Sequence, residues 1–359
     1  MWDALRTGLA FAVDIGVLIF VHELGHYLAA RSQGVTVEVF SIGFGPALAK
    51  WTARSGTVWQ ICALPLGGYV KMQGWGESEE TVSKAPGSFA GASLASRALI
   101  VAAGPLANLL LAFVLFSGLY MTVGRVVTQP VLSEVLPNSP AAAAQMQPGD
   151  RVLAIGGTTI RDFLQLQEIV AEHPDTVLDF TIKRGESAFT EPVQLGSVSA
   201  DGETAGRLGV VGKQSVLQRY SPPAAIAAGA QETVSQIRGW FAMLGQLVVH
   251  HQGLKDLAGP LGIIQITGQA AALGFVTFVN LVAIISINLG LVNLIPIPVL
   301  DGGHLLSYVV EAVLRRPLPA AVREGALRFG AAVLLMLILF VTFNDLTRLG
   351  AVSWISHLL

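Results

Sequence analysis

Positions 22–26 of this chain read His-Glu-Leu-Gly-His, inside a long run of apolar residues. On a helix, residues four apart lie on one face, one turn above each other. His22 and His26 can therefore turn imidazole nitrogens toward a single metal ion. Glu23 lies close to both in angle, near enough to contact a water held by that metal. Zinc lowers the pKa of such a water to about 7, and a glutamate can take its proton during attack on a carbonyl. The spacing is the HExxH pattern of zinc peptidases, with Glu23 as the general base. The apolar run from about Leu5 to Ala30 is long enough to cross a bilayer, which takes about 20 residues. Ionisable groups in hydrocarbon are costly and mark function. The expected chemistry is hydrolysis at membrane depth.

Catalytic zinc takes three protein ligands and keeps one position open. The leading candidate for the third ligand is Asp301, in Asn293-Leu-Ile-Pro-Ile-Pro-Val-Leu-Asp301-Gly302-Gly303-His304. A carboxylate is a good zinc oxygen ligand. Pro296 and Pro298 end the preceding span and free backbone carbonyls, and the glycines allow close approach. Asp301 could instead cap the helix that follows, and His304 is a rival ligand. Asn293 is read as a contact for substrate backbone near the metal, with a plain interhelical hydrogen bond as the alternative. The single cysteine, Cys62, excludes a thiolate zinc site and an internal disulfide; it reads as an inert core residue. Asp14 lies eight positions before His22, about 12 Å along a helix. That is too far to bind the same ion, and it can line a wet cavity or pair with another span. His250 and His251 read as a solvated helix end in preference to a second metal site.

The elements that must position these groups are those of a membrane protein. Charged residues make up 13% of the 359 residues and mean hydropathy is +0.61, where a soluble chain carries about 25% charged residues. A net charge of −2 gives no footing for nucleic acid. Four apolar segments read as spans, at 5–30, 97–123, 272–296 and 326–345. The first is expected to be a retained helix. Its apolar run is too long for a signal peptide, and no small-residue cleavage site ends it before the HExxH. Segment 224–252 is broken by polar residues and reads as an amphipathic helix at the membrane surface. Basic residues concentrate in 31–96 (Arg31, Lys50, Arg54, Lys71, Lys84) and 302–325 (Arg315, Arg316, Arg323). The positive-inside bias places those two regions in the cytoplasm and both termini and 124–271 outside.

Between 34 and 73, apolar residues alternate and glycines punctuate the run, the pattern of β hairpins. They follow the HExxH helix directly and are expected at the inner mouth of the site. A substrate helix hides its peptide carbonyls in its own hydrogen bonds, so it must unwind before attack. A strand edge in these hairpins could pair with the unwound segment, or the strands could merely plug the bundle. From about 128 to 213 the composition changes to a compact α+β module. Strands are expected at 131–136, 151–155 and 177–183. Helices are expected at 139–146, with Ser139 as N-cap and Pro140 at N1, and at 162–172.

The motifs His-Glu-Leu-Gly-His, Gly-Phe-Gly at 43–45, Pro-Leu-Gly-Gly-Tyr-Val at 65–70, Ala-Gly-Pro-Leu-Ala-Asn at 103–108, Gly-Pro-Leu-Gly-Ile at 259–263 and Asn-Leu-Ile-Pro-Ile-Pro-Val-Leu-Asp-Gly-Gly at 293–303 together resemble the bacterial site-2 protease family, of the regulator of sigma-E protease type. The resemblance covers nearly the whole chain. It implies one zinc ion on His22, His26 and Asp301 with Glu23 as base, and a substrate site at Asn293, Gly43, Phe44, Gly45, Gly67, Gly68, Tyr69 and Val70. It implies a polytopic α-helical protein of the bacterial inner membrane: a four-span bundle with membrane-associated β hairpins and an inserted extracytoplasmic α+β PDZ domain. Ser-Pro-Ala at 139–141 and Gly-Asp-Arg-Val-Leu-Ala-Ile-Gly-Gly at 149–157 fit that domain. The best-known enterobacterial members carry tandem PDZ domains, and this chain has room for one. The expected divisions are 1–123, 124–215 (PDZ), 216–271 (amphipathic helical connector) and 272–359. The implied partners are the lipid bilayer, single-span substrates such as anti-sigma factors or signal-peptide remnants, and an upstream site-1-type protease acting on the same substrate.

Overall fold

The computed structural model describes residues 2–75, 87–200, 203–250 and 259–348. They form two compact units, Met1–Tyr120 with Pro222–Leu359, and Met121–Ser221. The first unit begins with α1 (Trp2–Ser32), strands β1 (Val37–Thr52) and β2 (Val58–Met72), and α2 (Leu94–Thr122). The second unit holds β3 (Arg125–Thr128), β4 (Glu134–Val135), α3 (Pro140–Ala143), β5 (Arg151–Ile155), β6 (Thr158–Thr159), α4 (Phe163–Ala171), β7 (Val177–Arg184), β8 (Ser187–Gln194), β9 (Gly196–Ala200), β10 (Glu203–Arg207), β11 (Val210–Val211) and β12 (Ser215–Gln218). The chain then returns to the first unit with α5 (Pro222–His250), α6 (Pro260–Leu273), α7 (Phe275–Leu294), α8 (Asp301–Leu314) and α9 (Ala320–Arg348).

Among the described residues, four helices are long and apolar enough to cross a membrane: α1, α2, α7 and α9. They coincide with the four expected spans. Small residues let them pack closely, as lipid-embedded helices require. Gly25 of α1 sits against Ala103 and Ala107 of α2, and Gly290 of α7 sits against the Pro105 carbonyl and Asn108 Cβ.

Segment 216–271, expected as one amphipathic connector, contains two helices of different character. α5 is a 29-residue helix. α6 is 14 residues long and packs into the bundle along α1. Its Thr267 hydroxyl donates to Asp14 Oδ2 at 3.2 Å, so Asp14 pairs with a neighbouring helix. Its first turn is capped from α9, where Asp345 accepts from the Gly259 and Gly262 N–H groups at 3.0 and 2.9 Å. Gly259 and Gly274 bound α6 on either side, so its apolar run is too short to stand out as a span.

The expected hairpins are one pair of long strands folded over on itself. β1 and β2 pair antiparallel, with Ala49–Thr52 against Val58–Ile61 near the turn and Phe40–Ile42 against Gly68–Val70 at the far end. Val39–Ile42 also stand against Val58–Ile61, so the inner part of β1 has partners on both sides. No further strand lies beyond residues 67–70 among the described residues, and this stretch forms an edge.

The second unit carries its own core, built around Leu132, Ile155, Leu166, Phe180, Ile182 and Leu195. Its main sheet has the order β6-β5-β7-β8. α3 is capped by Ser139, whose hydroxyl accepts from Ala142 N, and α4 by Asp162, which accepts from Gln165 N at 2.8 Å. The expected strand at 131–136 is mostly irregular: only Glu134–Val135 forms a strand, with a single bridge from Val131 to Arg151. β3 and β12, the first and last strands of the unit, pair with each other.

Candidate metal centre

His22 and His26 project from α1, and their Nε2 atoms lie 3.2 Å apart. Asp301, at the start of α8, brings Oδ2 to 3.2 Å from His22 Nε2 and 3.5 Å from His26 Nε2. These three residues form a group able to hold a metal ion. A tetrahedral zinc with bonds of about 2.0–2.1 Å keeps its ligand atoms about 3.3–3.4 Å apart. The observed triangle matches one face of that tetrahedron. Two imidazole nitrogens and a carboxylate oxygen converging at such separations need a cation or a proton among them. The donor set therefore fits zinc.

The surroundings fix each donor. His26 Nδ1 lies 2.9 Å from the Ile100 carbonyl of α2. Donation to that carbonyl places the ring proton on Nδ1 and leaves the Nε2 lone pair for a metal. Gly104, one turn further along α2, leaves room for the imidazole, since a Cβ there would collide with the His26 ring. His22 Nδ1 faces the Asn108 side-chain amide at 3.3 Å.

Asp301 does not cap α8. Leu300 occupies the cap position and no side chain caps the helix; the carboxylate is turned to the imidazoles. Two features set its place. Gly302 and Gly303 lie so close to the backbone of Leu294, Ile295 and Ile297 that any Cβ would collide. A turn closed by the Leu300 N–H to the Ile297 carbonyl, 3.0 Å, leads into the helix. Pro298 and Val299 are its central residues. Val299 has φ of 98°, where a type II turn ordinarily has glycine. A β-branched residue in that region is a genuine backbone outlier.

A cleft of about 430 Å³ opens at the ligands. His22, Glu23 and His26 line one side, with Asp301 and Asn293. Gly67, Gly68, Tyr69 and Val70 line another, so the β2 edge borders the same space as Glu23. Gly68 makes this possible: a Cβ there would stand 2.8 Å from Ile19 Cγ2 and 3.0 Å from Glu23 Cγ. His304 also borders the cleft, with its ring 5.5 Å from that of Trp75, but lies outside the ligand group.

Gly43, Phe44 and Gly45, expected at the substrate site, do not line the cleft. Gly43 and Gly45 both have φ of 87° and lie where β1 bends. Phe44 stacks on Tyr69 at 6.0 Å and packs against Gly67. Phe44 thus braces the 67–70 stretch, while Gly43 and Gly45 lie against Leu64. Cys62 is buried, with its sulfur 3.4 Å from Ser41 Oγ. His250 ends α5, and His251 lies outside the described residues. Ile100, Gly104, Asn108 and Val299 carry parts of the site that the sequence reading left without a role. A polar Asn108 in an apolar span, four residues after a glycine, was the available signal for one of them.

Comparison with known proteins bears on this geometry. The model of the family described as Peptidase family M50 matches residues 10–337. Relatives carrying the name "putative zinc metalloprotease" include one from Agrobacterium fabrum, 39% identical over 94% of this chain and 95% of its own length. Another, from Rhizobium meliloti, is 39% identical over 94% and 96%. Metalloprotease MmpA of Caulobacter vibrioides is 33% identical over 96% of both chains. Among solved structures, the PDZ domain of an SdrC-like protein from Listeria monocytogenes aligns with 24% of this chain and 87% of its own, at 15% identity and a TM-score of 0.21. That likeness is too slight to characterise the second unit.

Proposed function

Because the chain belongs to peptidase family M50 and is a membrane zinc metalloprotease, we propose that it cleaves single-span membrane proteins within the bilayer. Its place is the second step of regulated intramembrane proteolysis, after a first extracytoplasmic cut by a site-1-type protease. Anti-sigma factors and signal-peptide remnants are the substrate classes. One observation carries the reading: two corners of the His22–His26–Asp301 triangle stand on α1, a 31-residue helix of membrane-spanning character, and the third comes from the start of α8.

Zinc on His22, His26 and Asp301 supplies Lewis acidity, polarising a carbonyl and lowering the pKa of water to about 7. The other roles belong to the chain's own residues. Glu23, buried beside the ligands, takes the proton of the attacking water and returns it to the leaving amine. The β2 edge at Gly67–Val70 pairs with an unwound substrate strand and holds it extended beside Glu23. Asn293 hydrogen-bonds the substrate backbone from α7. The basic residues of 31–96 and 302–325 orient the protein in the bacterial inner membrane. Both termini and the inserted unit then face the periplasm. That unit, read as a PDZ domain, excludes substrates whose outer domain is still attached.

The test is full-length protein in liposomes with a trimmed single-span substrate. The wild type should cut within the apolar segment, located by mass spectrometry of the products, and Glu23→Gln should not. Cleavage confined to soluble flanks, or full turnover by Glu23→Gln, would overturn the reading. Removal of 128–213 should admit untrimmed substrate.

A further inference from the structure

We propose that Asn108 is the positioning residue for His22, and that its side-chain amide fixes the imidazole in the tautomer that binds metal. The proposal rests on reading His22 as a zinc ligand through Nε2.

A neutral imidazole that gives Nε2 to a metal must carry its proton on Nδ1, and a buried N–H needs an acceptor. For His26 the acceptor is the Ile100 carbonyl. For His22 the Nδ1 partner is the Asn108 amide of the same helix, α2. Asn108 is fully buried in a span, its Nδ2 lies 3.3 Å from His22 Nδ1, and its Oδ1 is a buried atom with no hydrogen-bond partner. With Nε2 given to a metal, Nδ1 is a donor. A half-turn of the amide exchanges its two ends and presents Oδ1, the end without a partner, to that N–H.

Ile100, Gly104 and Asn108 stand at intervals of four, so they share one face of α2. The first accepts from His26, the second leaves room for the His26 ring, and the third meets His22. Asn108 is itself fixed from α7. Ser286 Oγ donates to its backbone carbonyl at 2.7 Å, and Gly290 lies against its Cβ. One helix thus orients both imidazoles that a second helix supplies.

Zinc affinity of the full-length protein in detergent micelles, measured by chelator competition, tests this. Asn108→Leu should weaken binding about 10–100-fold, the range for loss of a partner behind a metal-binding histidine. The unfolding midpoint of the metal-free protein reports separately on fold. Asn108→Asp, whose carboxylate also accepts from Nδ1, should restore most of the affinity; a role in packing alone predicts no such rescue. If Asn108→Leu fails to fold, Asn108→Ala removes the amide without adding branched bulk and should show the same loss. Wild-type affinity in the folded amide-free variant, with zinc lost in His22→Ala, overturns the role of Asn108 alone. Wild-type affinity in His22→Ala overturns the ligand set beneath it.

Discussion

Gly68 and Glu23 approach so closely that a Cβ at position 68 would stand 3.0 Å from Glu23 Cγ. The strand edge and the proposed base therefore meet at one glycine. Gly68→Val adds a branched side chain facing Ile19 Cγ2 and the Ser41 carbonyl as well, and β2 must move off α1. A displacement of about 1 Å at a reacting centre can cost about 100-fold. We expect kcat/KM to fall at least tenfold while zinc content, measured by atomic absorption, stays at one per chain. Unchanged cleavage would show that the edge does not place the substrate.

Proline at Val70 tests the same edge by removing a backbone donor instead of adding bulk. Val70→Pro should lower substrate cleavage in protein that still folds and binds zinc. Full activity in such protein would count against strand addition.

Metal binding and proton transfer should separate by residue. Asp301→Ala leaves two imidazoles and should abolish stoichiometric zinc. Glu23→Gln should keep zinc and lose turnover by about 100- to 10,000-fold, the usual scale for a general base. Zinc loss in Glu23→Gln would move that side chain from proton transfer to metal binding.

Val299 stores strain beside Asp301. Backbone conformations of this kind cost about 1–3 kcal/mol, while introducing glycine costs about 1 kcal/mol or less through the unfolded chain. The first term is the larger, so Val299→Gly should raise the thermal midpoint. Its side chain also lines the cleft, and we expect the same variant to cleave substrate more slowly. Higher stability with lower turnover is a pairing that a purely structural valine would not give.

The second unit should respond to acid through Asp150. Burial pushes this carboxyl up, but the Arg184 guanidinium, 2.7 and 2.8 Å away, and the Gln147 N–H pull it further down, to below the usual carboxylate range. A depressed folded-state pKa contributes stability above the unfolded value of about 3.9, and that contribution is lost as pH falls through the folded value. Segment 121–221, which carries its own core, should lose stability below about pH 4. Asp150→Asn should be less stable at neutral pH and show a flatter acid response. An identical acid profile in the variant would exclude Asp150 as the source.

Local periodicity made much of this molecule legible in the sequence. Four apolar runs mark the long helices, and the four-residue spacing of His22 and His26 marks a common face. Ser139 with Pro140 announced the start of α3, and α4 falls within the stretch expected at 162–172. The features that escaped depend on contacts between distant segments. α6 hides because its 14 residues fall short of a span and Asp345, far along the chain, caps it. The double pairing of Val39–Ile42 needs a fold-over that alternation alone cannot encode. Short strands such as β11, two residues long, have too little pattern to detect. Asn108 was visible as a polar residue in a span, but its partner was not.

The pairing of β3 with β12 brings the two ends of the second unit together as neighbouring strands. An excursion that leaves and returns through one doorway asks little of the host that carries it. Lengthening or exchanging such a guest leaves the host's helix ends where they are, because the chain re-enters beside the point at which it left.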